Sequence, residues 1–448
     1  MSDPALRIGT GAIVQRDAED YGWVDLPVDA AHVRVVGPDG AEVRCRDRLE
    51  CLGMPTGGPY RIHVPAAAGT GPAVVDDVFV GDIWVLAGQS NMLGFGVVRP
   101  GPPHSHPAVR VCEPGGQWKV ATEPLAHSVD DPSGYLKRID PDGTDFSFAQ
   151  RAAFSQAWRS RGASLGTRFG RRMYEMSGVP VGLIPAAMDG SPLRDWVHDD
   201  HSGGAAPCYL ALMDRVRAAG GAVAGVLWYQ GESDANLNAG IGYSDKTSRL
   251  FESFRRELLA PSGRLRIYLV QLCRMAAPAS ATTHAGWSAV RNAQRFPARL
   301  GADGFVSAVD LQLDDVVHVD TESLGRLGDR LVRIATGSAA LDLDGVTFSP
   351  SGTRIDVSYR GVQGRLGPRR NIAGYSVLNP DGHEVPIIHW TGVDDDAGNR
   401  VRLVLIRPLR SGESLWYGYG ANPVCNLVDD TDMAAPAFGP VSADDTAR

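Results

Sequence analysis

The sequence predicts an α/β protein in which a parallel sheet with helices on both faces is flanked by two all-β modules. Three observations carry this expectation. Apolar strand-like runs alternate with amphipathic helical stretches between residues 79 and 338. A period-two texture broken by turn residues occupies residues 1–78, and the same texture returns over 339–438. A polar tail, 439–448, is expected to fray. With 448 residues the chain also exceeds the size at which one hydrophobic core stops growing.

The N-terminal module rests on alternating segments at Gly11–Gln15, His32–Val36, Glu42–Arg44 and Tyr60–Val64. Gly37-Pro38-Asp39-Gly40 and Thr56-Gly57-Gly58-Pro59 separate them as turns. Val78–Gly88 is nearly all apolar, as a strand covered on both faces must be. A loop-rich insertion follows over roughly 95–160. Leu165, Phe169, Met173 and Met176 stripe a helix, and Val179–Ala186 is the next strand. Leu212 and Val216 mark a helix, Val223–Tyr229 a strand, Leu250, Phe254 and Leu258 a helix, and Ile267–Leu272 a strand. Trp287–Phe296 reads as helix, Phe305–Leu311 as strand, and Leu324, Leu327, Leu331 and Ile334 close the α/β segment. The C-terminal strands are expected at Gly345–Phe348, Arg354–Tyr359, Tyr375–Leu378, Val385–Ile388, Val401–Ile406 and Leu415–Tyr419.

Composition narrows the function. Apolar residues make up 43% and charged residues 21%, as in ordinary globular proteins. The net charge of −8 argues against nucleic acid or an anionic membrane as a partner. The six cysteines show no metal-ligand spacing. Cys112, Cys208 and Cys273 sit among apolar neighbours as buried thiols, whereas pairing of Cys45 with Cys51 stays open. No run approaches the ~18 apolar residues of a membrane span. Met1–Arg7 lacks a basic region followed by an apolar one, so no signal peptide is read and a cytoplasmic location is expected, with a secreted or periplasmic one if the start is mis-assigned.

In open α/β sheets, reactive groups gather beyond the carboxyl ends of the strands. Gly88-Gln89-Ser90-Asn91-Met92 follows the most apolar strand. Ser90 is placed there either as a nucleophile whose own N–H faces an oxyanion or as the cap of a helix. Asp315-Val316-Val317-His318 precedes the last helix. A carboxylate three residues before a histidine can accept from the imidazole Nδ1–H and leave Nε2 as a base, with Asp314 as a rival to Asp315. Trp228-Tyr229-Gln230-Gly231-Glu232-Ser233-Asp234 ends another strand. Gln230 carries a neutral amide donor for an oxyanion, Glu232 is cast as an orienting residue, and Asp234 as a helix cap. Gly190, in Met188-Asp189-Gly190-Ser191, adds a candidate backbone donor.

With these segments in view, the chain resembles the sialate O-acetylesterase family of SGNH hydrolases. The resemblance lies in Val80–Met92 (VGDIWVLAGQSNM), Trp228–Ser233 (WYQGES), and His318 ahead of a helix carrying Gly325 and Leu327. Gly58-Pro59-Tyr60, Val179–Ile184, Val270-Gln271-Leu272, Arg291-Asn292-Ala293-Gln294, Asn422–Leu427 and Ala434–Phe438 match as well, so the likeness runs almost the whole chain. It implies a flavodoxin-like, three-layer SGNH-hydrolase domain and metal-independent removal of acetyl groups from a sugar. Ser90 is then the nucleophile, His318 the base and Asp315 the acid. Ser90, Gly190 and Gln230 form the oxyanion hole, and Gln89, Asn91, Glu232 and Arg291 support it or the substrate. The chain departs from the family pattern at Asp189, where a glycine is usual, at Asp234, where asparagine is common, and at Val319, where proline is typical.

The expected substrate is an O-acetylated sialic acid or another acetylated glycan. A sialic-acid carboxylate needs a cation, for which Arg168, Arg194 and Arg291 are candidates; Trp196 and Trp287 are read chiefly as core and secondarily as sugar platforms. The competing readings are a catalytically inactive carbohydrate-binding protein on the same scaffold and a metal-dependent deacetylase using His104-Ser105-His106 and His198-Asp199-Asp200-His201. Neither a metal nor a cofactor is expected, and the oligomeric state is left open.

Overall fold

The computed structural model describes residues 8–26, 32–48, 51–66, 71–98, 105–126, 161–197, 206–235, 239–394 and 396–443. It divides into two compact units. One comprises Met1–Ser191, His198–Trp228 and Glu252–Ile267; the other comprises Pro192–Val197, Tyr229–Phe251 and Tyr268–Arg448.

The first unit is organised by a single strand, Ala73–Gly88. Its first half pairs antiparallel with Gly57–Val64 and its middle pairs parallel with Ile13–Gln15. Its second half pairs parallel with Val181–Pro185, which in turn runs parallel to Val109–Cys112. Burial follows this division. Val75, Val78 and Val80 join Val24, Val35, Leu52, Met54, Tyr60 and Ile62 in the core of the N-terminal β region. From Val78 to Gly88 every residue is buried, which is why the sequence there is apolar without alternation apart from Asp82, whose carboxylate pairs with Arg16. Gly81 lies where the strand crosses Pro180, and a Cβ at that position would strike the Pro180 carbonyl.

The strands Val109–Cys112 and Trp118–Val120 correct the expectation of a loop-rich insertion, because they add two strands to the sheet edge in the order Trp118–Val120, Val109–Cys112, Val181–Pro185, Ala73–Gly88. Two further strands, Tyr21–Asp25 and Cys51–Pro55, were not foreseen; they pair with each other, and Arg46–Arg48 pairs with the second. The strand expected at Glu42–Arg44 reduces to one bridge, Val36 with Glu42, because the Gly37–Ala41 turn closes immediately before it. In helix Leu165–Ser177 the predicted stripe is buried at Leu165, Phe169 and Met173, whereas Met176 is exposed. Ser164 Oγ caps it by accepting from the Gly166 amide, and Gly178 ends it with φ 68°.

In the second unit, residues 268–271 of strand Arg266–Gln271 pair parallel with Gly304–Ser307. The latter strand stops four residues earlier than the apolar run to Leu311 suggests. Ser307 Oγ donates to Gln271 Oε1 and accepts from the Val309 amide, which turns the chain. Asp320 caps helix Thr321–Ala335 by accepting from the Ser323 amide, and Leu324, Leu327 and Leu331 are buried beneath it.

The C-terminal part is all β. Asp342–Phe348, Arg354–Arg360, Arg400–Leu405 and Ile388–Val393 form an antiparallel sheet in that order, and Tyr375–Leu378, Ser414–Tyr417 and Phe438–Val441 form another. Val401, Leu403 and Leu405 are buried while their neighbours are not, the period-two signature. The strand expected at Val385–Ile388 begins only at Ile388, since Ile387 N–H bonds the Val385 carbonyl in a tight turn. The expected tail from 439 is likewise corrected, because Phe438–Val441 is a paired strand. All six cysteines are free, so Cys45 and Cys51 do not pair; their thiols contact the Val43 carbonyl and the Asp25 carboxylate instead.

Candidate active site

In the first unit, Gly88 ends the long strand with φ 133°, a conformation open to glycine and little else. Gln89 is extended and Ser90 opens a four-residue helix, Ser90–Leu93. The amides of Met92 and Leu93 donate to the Gln89 carbonyl at 2.9 and 3.0 Å. Ser90 is therefore inside the helix and not its cap, which removes the capping explanation for a serine here. Gln89, Ser90 and Asn91 are all buried. The Met188 amide donates to the Gly88 carbonyl at 2.9 Å, and Ser191 Oγ donates to the Met188 carbonyl at 2.8 Å. These bonds tie the turn carrying Gly190, itself at φ 63°, to the turn that presents Ser90.

In the second unit, Gln312–Asp320 is a short hairpin. Leu313 bridges Val319, and the Asp314 amide donates to the His318 carbonyl at 2.9 Å. Asp315 sits at its tip. Its Oδ2 lies 2.8 Å from His318 Nδ1, while Oδ1 accepts from the Val317 and His318 amides at 2.9 and 2.8 Å. Burial opposes ionisation of this carboxyl, but the Val317 amide, the imidazole and the His318 amide outweigh it and hold its pKa down at about 2. Asp315 rather than Asp314 is thus the carboxylate on the imidazole. An ionised acceptor on Nδ1 keeps that nitrogen protonated and leaves Nε2 with its lone pair.

Gln230 follows strand Gly225–Tyr229 and is fully buried. Its Nε2 donates to Asp234 Oδ2 at 2.6 Å, and the Leu193 amide donates to the same oxygen at 2.7 Å. Asp234 therefore does not cap a helix; it gathers two donors, and burial raises its pKa against their effect. The backbone between them needs Gly231, whose φ is 145° and whose Cβ would collide with Val290. Glu232 opens a short 3-10 turn, Glu232–Asp234.

Arg291 is a correction. It was a candidate for the substrate carboxylate, but its side chain is buried and spent on backbone. Nε donates to the Leu272 carbonyl at 3.0 Å, Nη1 to Gly418 and Gly420, and Nη2 to Cys273 and Ala421. Burial pulls this guanidinium's pKa down to about 10. Trp196 and Trp287 are also buried and belong to the core. Among the described residues no cluster of three or more His, Cys, Asp or Glu is arranged to hold a metal ion. His106 instead stacks on Tyr174, with ring centroids 4.2 Å apart, while His104 and His198–His201 lie outside the described residues. No described helix is long and apolar enough to cross a membrane.

Comparison with known proteins identifies the family. The model of a family described as carbohydrate esterase, sialic acid-specific acetylesterase matches residues 80–336, more than half of the chain. The chain belongs to that family. This carbohydrate esterase is 27% identical over 209 residues to a protein named probable carbohydrate esterase At4g34215 from Arabidopsis thaliana, an alignment covering 43% of this chain and 69% of the plant protein. The crystal structure of XAC1771, a carbohydrate acetylesterase from Xanthomonas citri, superposes with a TM-score of 0.63 at 19% identity, covering 97% of this chain and 99% of that one. That likeness bears on the fold and extends it to both β regions. The expected α/β fold with all-β additions is thereby established, and the family match establishes hydrolysis of acetyl esters on carbohydrates.

Proposed function

We propose that this esterase works through a serine mechanism in which Ser90 is the nucleophile, His318 the general base and Asp315 the acid that orients it. His318 Nε2 takes the Ser90 proton as Oγ attacks the acetyl carbonyl, giving a tetrahedral oxyanion. Backbone N–H groups of Ser90 and Gly190 stabilise that charge. Gln230 is assigned as a third donor through its neutral side-chain amide, which Asp234 Oδ2 orients by accepting from Nε2. The imidazolium returns the proton to the departing sugar oxygen. Water, deprotonated by the same imidazole, then releases acetate from the acetyl-enzyme.

One observation carries this reading: the ionised Asp315 on His318 Nδ1 at 2.8 Å, within a chain of a carbohydrate esterase family that also presents Ser90 just beyond its long strand. The proposed substrate is an O-acetylated sialic acid or another acetylated glycan. With Arg291 committed to carbonyls, Arg194, 78% exposed, is the better cation for a sialic-acid carboxylate. The test is acetate release across a panel of acetylated sugars by wild type and Ser90→Ala. Loss of release in the variant for every sugar supports the mechanism, and retained release refutes it.

A further inference from the structure

We infer that Arg274 and Asn422 are positioning residues for the Asp315–His318 pair, so that the C-terminal β region forms part of the catalytic apparatus. The inference rests on His318 being the base.

The hairpin that carries the pair projects from the sheet, and Val316 at its tip is exposed. A pair whose geometry decides proton transfer requires its loop to be held at both ends. The base is anchored to the last helix, where Ser323 Oγ accepts from the Gln312 amide at 3.1 Å. The tip is held from the segment after strand Arg266–Gln271, where the Ala276 amide donates to the Val316 carbonyl at 2.7 Å. Arg274, two residues earlier, donates from Nη2 to Gln312 Oε1 at 3.2 Å, so one segment grips the hairpin at base and tip.

That segment is itself fastened to the C-terminal region. Arg274 Nη1 donates to Asn422 Oδ1 at 3.0 Å, and the Met275 amide donates to the Ala421 carbonyl at 2.7 Å. Residues 420 and 421 are in turn held by helix Ala281–Gln294. Ser288 Oγ accepts from the Gly420 amide at 2.8 Å, His284 Nδ1 accepts from the Ala421 amide at 3.0 Å, and Arg291 donates to both carbonyls. Bonds therefore run without a gap from a residue about one hundred positions downstream of His318 to the carbonyl between Asp315 and Val317. The Arg274 side chain touches both the hairpin and the C-terminal segment.

Asn422 is exposed and Arg274 only partly buried, so their truncation leaves the core intact. Displacements of ~1 Å around reacting groups cost up to ~100-fold in rate. For Arg274→Ala and Asn422→Ala we expect kcat toward p-nitrophenyl acetate to fall about tenfold, with KM within twofold and melting temperature unchanged. Inactivation by a serine-directed phosphonate slows in step. Asn422→Asp keeps an acceptor for the guanidinium and restores the rate, and the double variant is no slower than either single one. Wild-type kcat in Arg274→Ala and Asn422→Ala, or an equal fall in Asn422→Asp, would overturn the inference. His318→Asn separates the two levels. If it retains activity, the base assignment fails; if it is inactive while both alanine variants are normal, only the positioning role fails.

Discussion

Replacing Asp315 by asparagine should convert the dyad from a proton acceptor into a blocked one, and the direction follows from atom-level bookkeeping. Oδ1 accepts from two backbone amides, Val317 at 2.9 Å and His318 at 2.8 Å. An asparagine must place its carbonyl oxygen there, because its NH₂ would face two donors. The NH₂ then occupies the Oδ2 position, 2.8 Å from His318 Nδ1. It donates to Nδ1, which forces the proton to Nε2, where it cannot take another from Ser90. Comparable Asp→Asn changes in triads cost ~10⁴ in kcat. The carboxylate also stabilises the fold. Its pKa is lowered from 3.8 to about 2, and with solvent screening of this partly exposed group the stabilisation is at most ~1 kcal/mol. Because the folded value is depressed, that stabilisation is full above the unfolded value near 4 and is lost as pH falls through about 2. Steady-state hydrolysis of p-nitrophenyl acetate, with thermal melts at neutral pH and at pH ~2.5, measures both effects. We predict kcat lower by at least 10²-fold with KM nearly unchanged, and a melting difference that shrinks on acidification. A kcat within twofold of wild type would refute the tautomer argument.

Other perturbations test the surrounding structure. Arg291→Met takes the buried guanidinium from the Leu272, Cys273, Gly418 and Gly420 carbonyls, while Ala421 keeps the Met275 amide; at ~1–3 kcal/mol per orphaned group, a loss of ~3 kcal/mol or more is expected in denaturant melts. Gly81→Ala pushes a methyl into the Pro180 carbonyl and should cost ~2–3 kcal/mol, read as a lower melting temperature with the kcat of the remaining folded enzyme unaltered. Asp234→Asn keeps one acceptor for Gln230 and Leu193 while removing a buried charge, so stability at neutral pH should change by no more than ~1 kcal/mol. Since burial raises the Asp234 pKa, its ionised form opposes folding; wild type should gain on this variant as pH falls, a trend that pH-dependent melts would detect.

Legibility in the sequence tracked how local each cause is. Val78–Gly88 announced itself because burial on both faces leaves Asp82, paired with Arg16, as its one charged position, whereas the strand's first five residues, Ala73–Asp77, face the N-terminal β region on one side and look like loop. Val109–Cys112 is four residues long, holds an arginine and is bordered by proline and glycine, so nothing local distinguishes it; the pairing with Val181–Leu183 makes it a strand. The Asp315–His318 pair was readable because both partners lie within one turn of chain and the loop alone fixes their contact. Arg291 as a cation for the substrate was misread for the opposite reason. Its partners Gly418, Gly420 and Ala421 lie some 130 residues away, and a cation near catalytic motifs looks like a substrate ligand until its hydrogens are accounted for. Asp234 shows the same limit, since the Leu193 amide that explains it comes from another strand's end. One signal was present: an acid four residues after Gln230, on a turn, within reach of its amide.

The central claim is that acetyl passes through the Ser90 oxygen. Rapid quenching of the enzyme during turnover of p-nitrophenyl acetate, followed by peptide mass mapping, tests it directly. An added acetyl group is expected on the peptide containing Ser90, absent in Ser90→Ala and not accumulating in His318→Asn. An acetyl group on a different residue, or full turnover by Ser90→Ala, would contradict it.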